Sequence, residues 1–401
     1  MKVAVIGGGA AGLVAAGSAK GASVVLFEHT EKIGKKIYIT GKGRCNFTNA
    51  CEAEEFLTNV VTNPRFLRSA LAGFTPFDAI ELLESNGCKT KTERGRRAFP
   101  LSDKASDVTK ALKSYALKNN TEIRTDCDIT DITKAENGFS ITCNGKTEIF
   151  DRLIMCTGGM SYPMTGSDGS AHKFIKSFGH TIVESVPSLV PLVTKEDVSG
   201  AEGLTLKNVT VRTEGIKPIF GDMLFTDNGV SGPIILTLSS YAARRKFPYT
   251  ISIDLKPKMT EDELDSRLLR DFGEKLNKQF KNSLDELLPK SIIPFIIERS
   301  GISPEKQVNS ITKPERRKIV TTLKSFTLTI TESLGFNHAV VTNGGVSTAE
   351  INPKTMESKL VKGLFFGGEI IDVDALTGGY NFHIALATGY AAGTNSAVTN
   401  D

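Results

Sequence analysis

The first 28 residues constrain the fold more than any other part of the chain. Lys2 to Ile6 is a short β-branched run that ends on Gly7-Gly8-Gly9-Ala10-Ala11-Gly12, and small apolar residues continue to about Lys20. Strand, GxGxxG and helix in that order form a dinucleotide-binding turn. Gly7 permits the tight turn, Gly9 lets the backbone approach a pyrophosphate, and Gly12 lets the helix pack closely on the strand. The pyrophosphate then rests on the helix N-terminus, where free N–H groups and the helix dipole favour an anion. A second apolar run, Ser23 to Phe27, ends in Glu28. That is about 20 residues after the motif begins, where an acid accepts hydrogen bonds from a ribose. A lone GxGxxG is weak evidence, but here five features coincide.

An acid at that position suits NAD or FAD, so the residues after Glu28 decide between them. An NAD dehydrogenase would continue with regular βαβ units, whereas residues 29–49 read as a polar, glycine-containing loop with Lys35-Lys36 and Thr40-Gly41-Lys42-Gly43-Arg44-Cys45-Asn46-Phe47-Thr48-Asn49. Its glycines allow close approach to an extended cofactor, Arg44 and the lysines offset phosphate charge, and Asn46 offers donor and acceptor to a flavin edge. A solvated basic loop is the plainer alternative. Helical patterns at about 64–87 and 103–118 precede short strands between Glu122 and Thr157, with turns at Asn137-Gly138 and Asn144-Gly145. The apolar run Leu153 to Cys156 stops at Thr157-Gly158-Gly159, and a buried strand ending this way can bring bare backbone to a nucleotide. Near the end, Gly363 to Phe366 reads as a strand followed by Gly367-Gly368-Glu369 and Asp372, and Gly378-Gly379-Tyr380-Asn381 opens a helix to about Ala397. Aimed at the pyrimidine side of a flavin, that helix N-terminus would stabilise the negative charge formed on reduction.

A chain of 401 residues exceeds one ordinary core and predicts two or three units. From about Val186 the pattern turns β-rich, at Leu204 to Arg212, Ile216 to Phe225, Ile234 to Leu238 and Tyr249 to Leu255. A polar helical stretch, 261–320, follows, and Phe326 to Ile330 returns to strand. An insertion of this kind is expected to supply much of a substrate pocket, with the loops Phe225 to Pro233 and Thr342 to Val346 as candidate linings.

Hydrophobic residues at 40% and charged residues at 23% describe an ordinary globular protein, and the net charge of +4 is small for the length. The densest basic runs, Arg94 to Arg97 and Lys313 to Lys318, are short and interrupted, so no nucleic-acid partner is expected. No stretch suits a signal peptide or a membrane span, which makes the cytoplasm the default location. The six cysteines contain no CxxC pair, which argues against a zinc site or a disulfide framework.

Taken together, these stretches resemble the BaiN and aminoacetone-oxidase type of FAD-dependent oxidoreductases, the YhiN-like flavoproteins. The matching segments are Gly7 to Gly12, Gly41 to Asn49, Thr157 to Gly169 and Gly367 to Asn381, and their order spans nearly the whole chain. The resemblance implies an α/β fold: a Rossmann-like, glutathione-reductase-type FAD-binding domain with an inserted β-barrel-like domain and a small helical domain. The expected division is 1–185 with 341–401, then 186–260 with 321–340, and 261–320. It also implies FAD contacts at Gly7, Gly9, Ala11, Gly12, Glu28, Lys36, Arg44, Cys45, Asn46, the backbone near Ile129, Thr157, Gly158, Gly368, Glu369, Asp372 and Asn381. His383 stands where many relatives carry an amide; near the ring it could act as acid or base.

Cys45 and Cys51 lack the spacing of a flavin-linked redox disulfide, and there is no second strand-linked GxGxxG, so any NAD(P)H binds transiently. Two enzymatic routes move a hydride between flavin N5 and a small organic substrate: NAD(P)H-linked reduction of an activated C=C bond, and oxidation of an amine with oxygen as acceptor. A flavin-bound regulatory or RNA-associated protein without turnover, and an NAD-only dehydrogenase, are the alternatives of other classes.

Overall fold

The computed structural model describes residues 1–398. Its contacts divide the chain into two compact units, residues 1–188 with those from 335 onward, and Leu189–Leu334.

The first unit is built on a five-stranded parallel sheet. Its order is Leu364–Phe366, Arg152–Met155, Lys2–Ile6, Ser23–Phe27 and Glu122–Arg124. Val3 to Ile6 and Val24 to Phe27 are buried, as expected of parallel strands covered on both faces, and this is why they read as unbroken apolar runs. The Lys2–Ile6 strand is central, so the glycine turn leaves the carboxyl edge of the sheet between its two halves.

The first helix, Ala10–Ser18, is made of small residues because it is enclosed on two sides. On one side Gly17 lies against the ring of Tyr115, from the helix Ala105–Leu117. On the other lies the last helix, Tyr380–Ser396, whose Gly389 and Gly393 sit against the carbonyls of Ala11 and Ala15. A Cβ at either glycine would fall inside van der Waals contact with those oxygens, so the two backbones approach as closely as helices can.

Three small antiparallel sheets complete the unit: a pair, Ile182–Ser188 with Val341–Val346, and two of three strands each. One joins Ile129–Ala135, Gly138–Cys143 and Lys146–Phe150. Its Asn144-Gly145 turn has both residues at positive φ, 50° and 74°, as a two-residue hairpin loop requires. The other joins Thr48–Asn49, Arg97–Pro100 and Thr90–Glu93. The stretch 29–49 is therefore not a simple loop: it contains a helical turn, Lys35–Ile39, started by Gly34 at φ 74°, and it ends in a strand.

In the second unit six strands close into a barrel, in the order Leu192–Thr194, Gly229–Ser231, Ile216–Thr226, Thr205–Thr213, Tyr249–Asp254 and Phe326–Ser333. The expected strand at Ile234 to Leu238 is instead part of a helix, Pro233–Tyr241. Its isoleucines suit either structure, but Pro233 at the first helical position, after Gly232 at φ 89°, presets the helix. Helices Glu261–Gly273 and Lys313–Lys324 begin with reciprocal capping boxes at Thr260/Glu263 and Thr312/Glu315. Leu264, Leu268, Ile296, Ile319 and Leu323 from the helical stretch share one apolar core with Val211, Ile251, Ile253, Phe326 and Leu328 of the barrel.

No helix among the described residues is long and apolar enough to cross a membrane.

Candidate functional site

A cavity of about 470 Å³ opens within the first unit, at the carboxyl edge of its sheet. The glycine turn forms one wall. Gly7 has φ 105° and a Cβ there would collide with the carbonyl of Cys156, so only glycine fits. Gly12 packs against Gly7 O just as tightly and lies behind the cavity wall. Gly9 differs: a Cβ built on it meets nothing within 4 Å. It precedes a helix that has no side-chain cap and no acid in its first turn. The structure thus presents uncapped N–H groups to open space, the arrangement that receives a phosphate.

Glu28 lines the cavity at the end of the second strand and is almost wholly buried. Gly8 N–H donates to its Oε2 at 2.8 Å, while Thr30 donates to Oε1 from both backbone (2.9 Å) and hydroxyl (2.8 Å). The carboxylate therefore braces the glycine turn. A carboxylate accepts about four hydrogen bonds, so one remains for a ribose hydroxyl.

Lys36, Ser161 and Glu369 form a compact polar triangle. Lys36 Nζ donates to Glu369 Oε2 and to Ser161 Oγ, both at 2.5 Å. Ser161 Oγ and the Thr342 N–H donate to Glu369 Oε1, at 2.7 and 2.8 Å. Burial pushes the Glu369 carboxyl up, but the Lys36 charge and these hydrogen bonds outweigh it and hold it below the ordinary value. The expectation that Lys36 would offset phosphate charge is corrected to this extent: its charge is already balanced by Glu369.

Of the residues expected at the site, Gly7, Gly9, Ala11, Glu28, Lys36, Ile129, Thr157, Gly158, Gly368, Glu369 and Asn381 line the cavity. Gly12, Arg44, Cys45, Asn46 and Asp372 do not. Arg44 turns to Glu93 (2.5 Å) and Asp103 (2.6 Å) and lies 4.3 Å over the Phe99 ring, so its charge is spent on pinning the loop. Cys45 is fully buried at φ 60°, and burial raises its thiol pKa, which makes it a packing residue. Asp372 accepts from Asn63 Nδ2 at its carbonyl (2.7 Å) and at Oδ2 (3.2 Å). Asn381 spends its amide on the backbone of Ala375 and Leu376, which fixes the approach to the last helix.

Among the described residues several buried polar atoms lack a hydrogen-bond partner, and two of them bear on the site. Thr157 Oγ1, on the cavity wall, and Asn46 Oδ1, beside Gly379 at the start of the last helix, are buried without one. His383 is fully buried away from the cavity. Its Nε2 donates to Phe74 O at 3.2 Å and its ring stacks on Phe74. Burial lowers its pKa to about 4, so it is a neutral packing residue rather than an acid or base.

A further part of the lining, Thr165 to Ala171 and Lys173 beside His29, Cys127 and Asp128, holds none of the residues named as contacts from sequence, although Thr165 to Gly169 belongs to a segment matching the family. Ser167 Oγ occupies the space a Cβ on Gly158 would need, and Gly166 lies against the His29 ring. The run Thr165-Gly166-Ser167-Asp168-Gly169-Ser170 is dense in turn residues, a signal that this segment could approach a ligand closely.

The chain has relatives of nearly its own length among known proteins. A family model described as the HI0933-like protein Rossmann domain matches residues 1–395. The chain is 33% identical to a 3-dehydro-bile acid delta(4,6)-reductase of Clostridium scindens, covering 99% of each. It is 32% identical to a ribosomal RNA dihydrouridine synthase of Escherichia coli, covering 96% of each. Among solved structures, a 3-ketosteroid-delta4-(5alpha)-dehydrogenase of Rhodococcus jostii shares the fold, with a TM-score of 0.53 at 14% identity, over 99% of this chain and 96% of that one.

Proposed function

The chain belongs to the HI0933-like Rossmann-domain family, and from that premise we propose that it is an FAD-dependent oxidoreductase that reduces a C=C bond conjugated to a carbonyl, with NAD(P)H as electron source. The observation that carries the cofactor reading is the cavity wall at Gly9: open space in front of an uncapped helix N-terminus, with a buried acid at the end of the next strand. FAD, when bound, supplies hydride transfer between a nicotinamide and carbon. The residues of this chain do the rest. Gly9 and the first helix receive the pyrophosphate, and Glu28 receives a ribose hydroxyl on its remaining lone pair. Thr157 Oγ1 offers a hydroxyl to the cavity. The Lys36–Glu369 pair keeps a polar, charge-balanced floor whose geometry is set before any ligand arrives.

The substrate bond is argued from two relatives whose names look unrelated. A 3-dehydro-bile acid with delta(4,6) double bonds is a conjugated dienone. Dihydrouridine is uridine with its pyrimidine C=C, also conjugated to a carbonyl, saturated. One reaction class covers both, and it favours C=C reduction over amine oxidation.

An anaerobic titration of the flavin-loaded protein with NADH and NADPH, followed at the flavin absorbance band, tests this reading. Bleaching by a reduced nicotinamide and reoxidation by a dienone steroid or a uridine-containing RNA, with gain of two hydrogens by mass spectrometry, is the expected result. Bleaching by small amines alone, with colour restored by air, would sink it in favour of an oxidase.

A further inference from the structure

We propose that Cys127 and Cys143 form a reversible thiol–disulfide pair, closed by a hydroperoxide and reopened by a dithiol, and that closing it loosens FAD at the Glu28 end of the cavity. The coupling to the cofactor rests on the reading of that cavity as the FAD site; the cross-link itself does not.

The chain sets the two thiols side by side. Ile129 is the ladder partner of Cys143, which leaves Cys127 diagonally across from Cys143, within reach of a cross-strand side chain. Asn144, the residue after Cys143, clamps both neighbours of Cys127. Its Nδ2 donates to Asp126 O at 3.0 Å, its Oδ1 accepts from Asp128 N–H at 2.8 Å, and its own N–H donates to Asp128 O at 3.0 Å. Burial first, and then the Cys143 thiol, push the Cys127 thiol up to about 12, so the two sulfurs sense each other and Cys127 stays protonated in the reduced chain. Cys127 also lines the cavity. Its N–H donates to Glu28 O at 3.0 Å, on the acid whose carboxylate braces the glycine turn.

Exposure decides the order of events. Cys45, Cys51, Cys88, Cys127 and Cys156 are buried, whereas Cys143 is partly open to solvent. Cys45 and Cys88 also influence one another, but both lie in the core, out of an oxidant's reach. An oxidant therefore meets Cys143 first. The Cys143 sulfur attacks a peroxide oxygen: an S–O bond forms, the O–O bond breaks and water leaves, giving a sulfenic acid. The Cys127 sulfur then attacks the Cys143 sulfur: the S–S bond forms, the S–O bond breaks, and a second water carries away the Cys127 proton. Two electrons pass from the sulfurs to the peroxide, and a dithiol returns them by exchange. To form this bond, Cys127 Sγ gives up Thr125 O, to which it donates at 3.6 Å, and turns from the cavity wall toward Cys143. That movement bears on Glu28 through the backbone bond between the two residues. By linkage, the factor that the cross-link takes from FAD affinity is the factor that bound FAD takes from the tendency to cross-link.

Peptide mapping by mass spectrometry after hydrogen peroxide treatment of the reduced full chain, with and without FAD, tests the pair. The expected product is a Cys127–Cys143 cross-link lighter by two hydrogens, reversed by dithiothreitol and formed more slowly when FAD is present. Calorimetric titration should then show FAD binding about tenfold more weakly to the oxidised chain than to the reduced one, with dithiothreitol restoring the affinity. Cys143→Ser should keep its FAD affinity after peroxide, and Cys88→Ser should respond as wild type. Cys127→Ala should accumulate sulfenic or sulfinic acid at Cys143 without a cross-link. Oxidation of Cys143 that never reaches Cys127, a response that survives in Cys143→Ser, or equal FAD affinity in the two thiol states would overturn the proposal. A chain that cross-links but takes up no FAD in either state would overturn the coupling and the cofactor reading together, while the redox pair stands.

Discussion

Gly9 and Gly12 sit three residues apart in one motif and answer to different demands. Nothing lies near a Cβ on Gly9, and its φ of −82° suits any residue, whereas a Cβ on Gly12 collides with Gly7 O. Gly9→Ala should keep stability within about 0.5 kcal/mol of wild type while weakening FAD affinity by roughly tenfold or more. Gly12→Ala should cost about 2–3 kcal/mol of folding stability. Urea denaturation paired with calorimetric FAD titration separates the two, and equal effects on both quantities would show that the motif acts only as a folding element. His383 gives a second prediction. Its pKa is lowered from 6.5 to about 4 by burial, so the fold favours the neutral ring. Its contribution is complete above pH 6.5 and is lost as pH falls toward 4, by up to about 3 kcal/mol. His172 and His180, also lowered by burial, act in the same direction, so comparison with His383→Leu isolates the effect. Stability of the variant should fall less steeply with acid, and a slope equal to wild type would refute the assignment. At this scale the sequence was readable wherever backbone chemistry decides, as at Gly7 and Gly12. It misled where a charge is met from a distant element: Arg44 looks free in sequence because Glu93 and Asp103 lie 49 and 59 residues away.

Single local residues also decide the elements. The strand expected at Ile234 to Leu238 rested on its isoleucines, but Pro233 after a left-handed glycine starts a helix there. Lys35–Ile39 was missed because a single helical turn carries too little periodicity to stand out from a polar loop. The parallel strands were plain in sequence because burial on both faces leaves an apolar run with no alternation. Helix Lys313–Lys324 offers a direct test of local control. Thr312 accepts from Glu315 N–H and donates to Glu315 Oε2, so Thr312→Ala should cost about 1 kcal/mol and speed hydrogen exchange in the first turn. Unchanged exchange there would show that core contacts at Ile319 and Leu323 hold the helix without its cap.

At the scale of the whole molecule, the β-rich insertion was legible from the change of pattern near Val186, but the sharing of one core by barrel and helices was not, since periodicity does not say which cores merge. Every residue that lines the cavity lies in the first unit. Pro191 O accepts from Leu334 N–H at 3.1 Å, so the outgoing and returning chain run side by side. Replacing Leu189–Leu334 with a short glycine–serine linker should therefore leave a protein that purifies yellow or takes up added FAD; a colourless product that stays so after FAD addition would show that the cradle needs the insertion. The glycine contacts between the first and last helices carry one more consequence. Ala11 and Ala15 cannot be covered until Gly389 and Gly393 have left the ribosome, and the cavity draws on Ile6 and Ala385 alike. The first helix thus waits for a partner far along the chain, and a fragment without Tyr380–Ser396 leaves it bare and the cavity without Ala385.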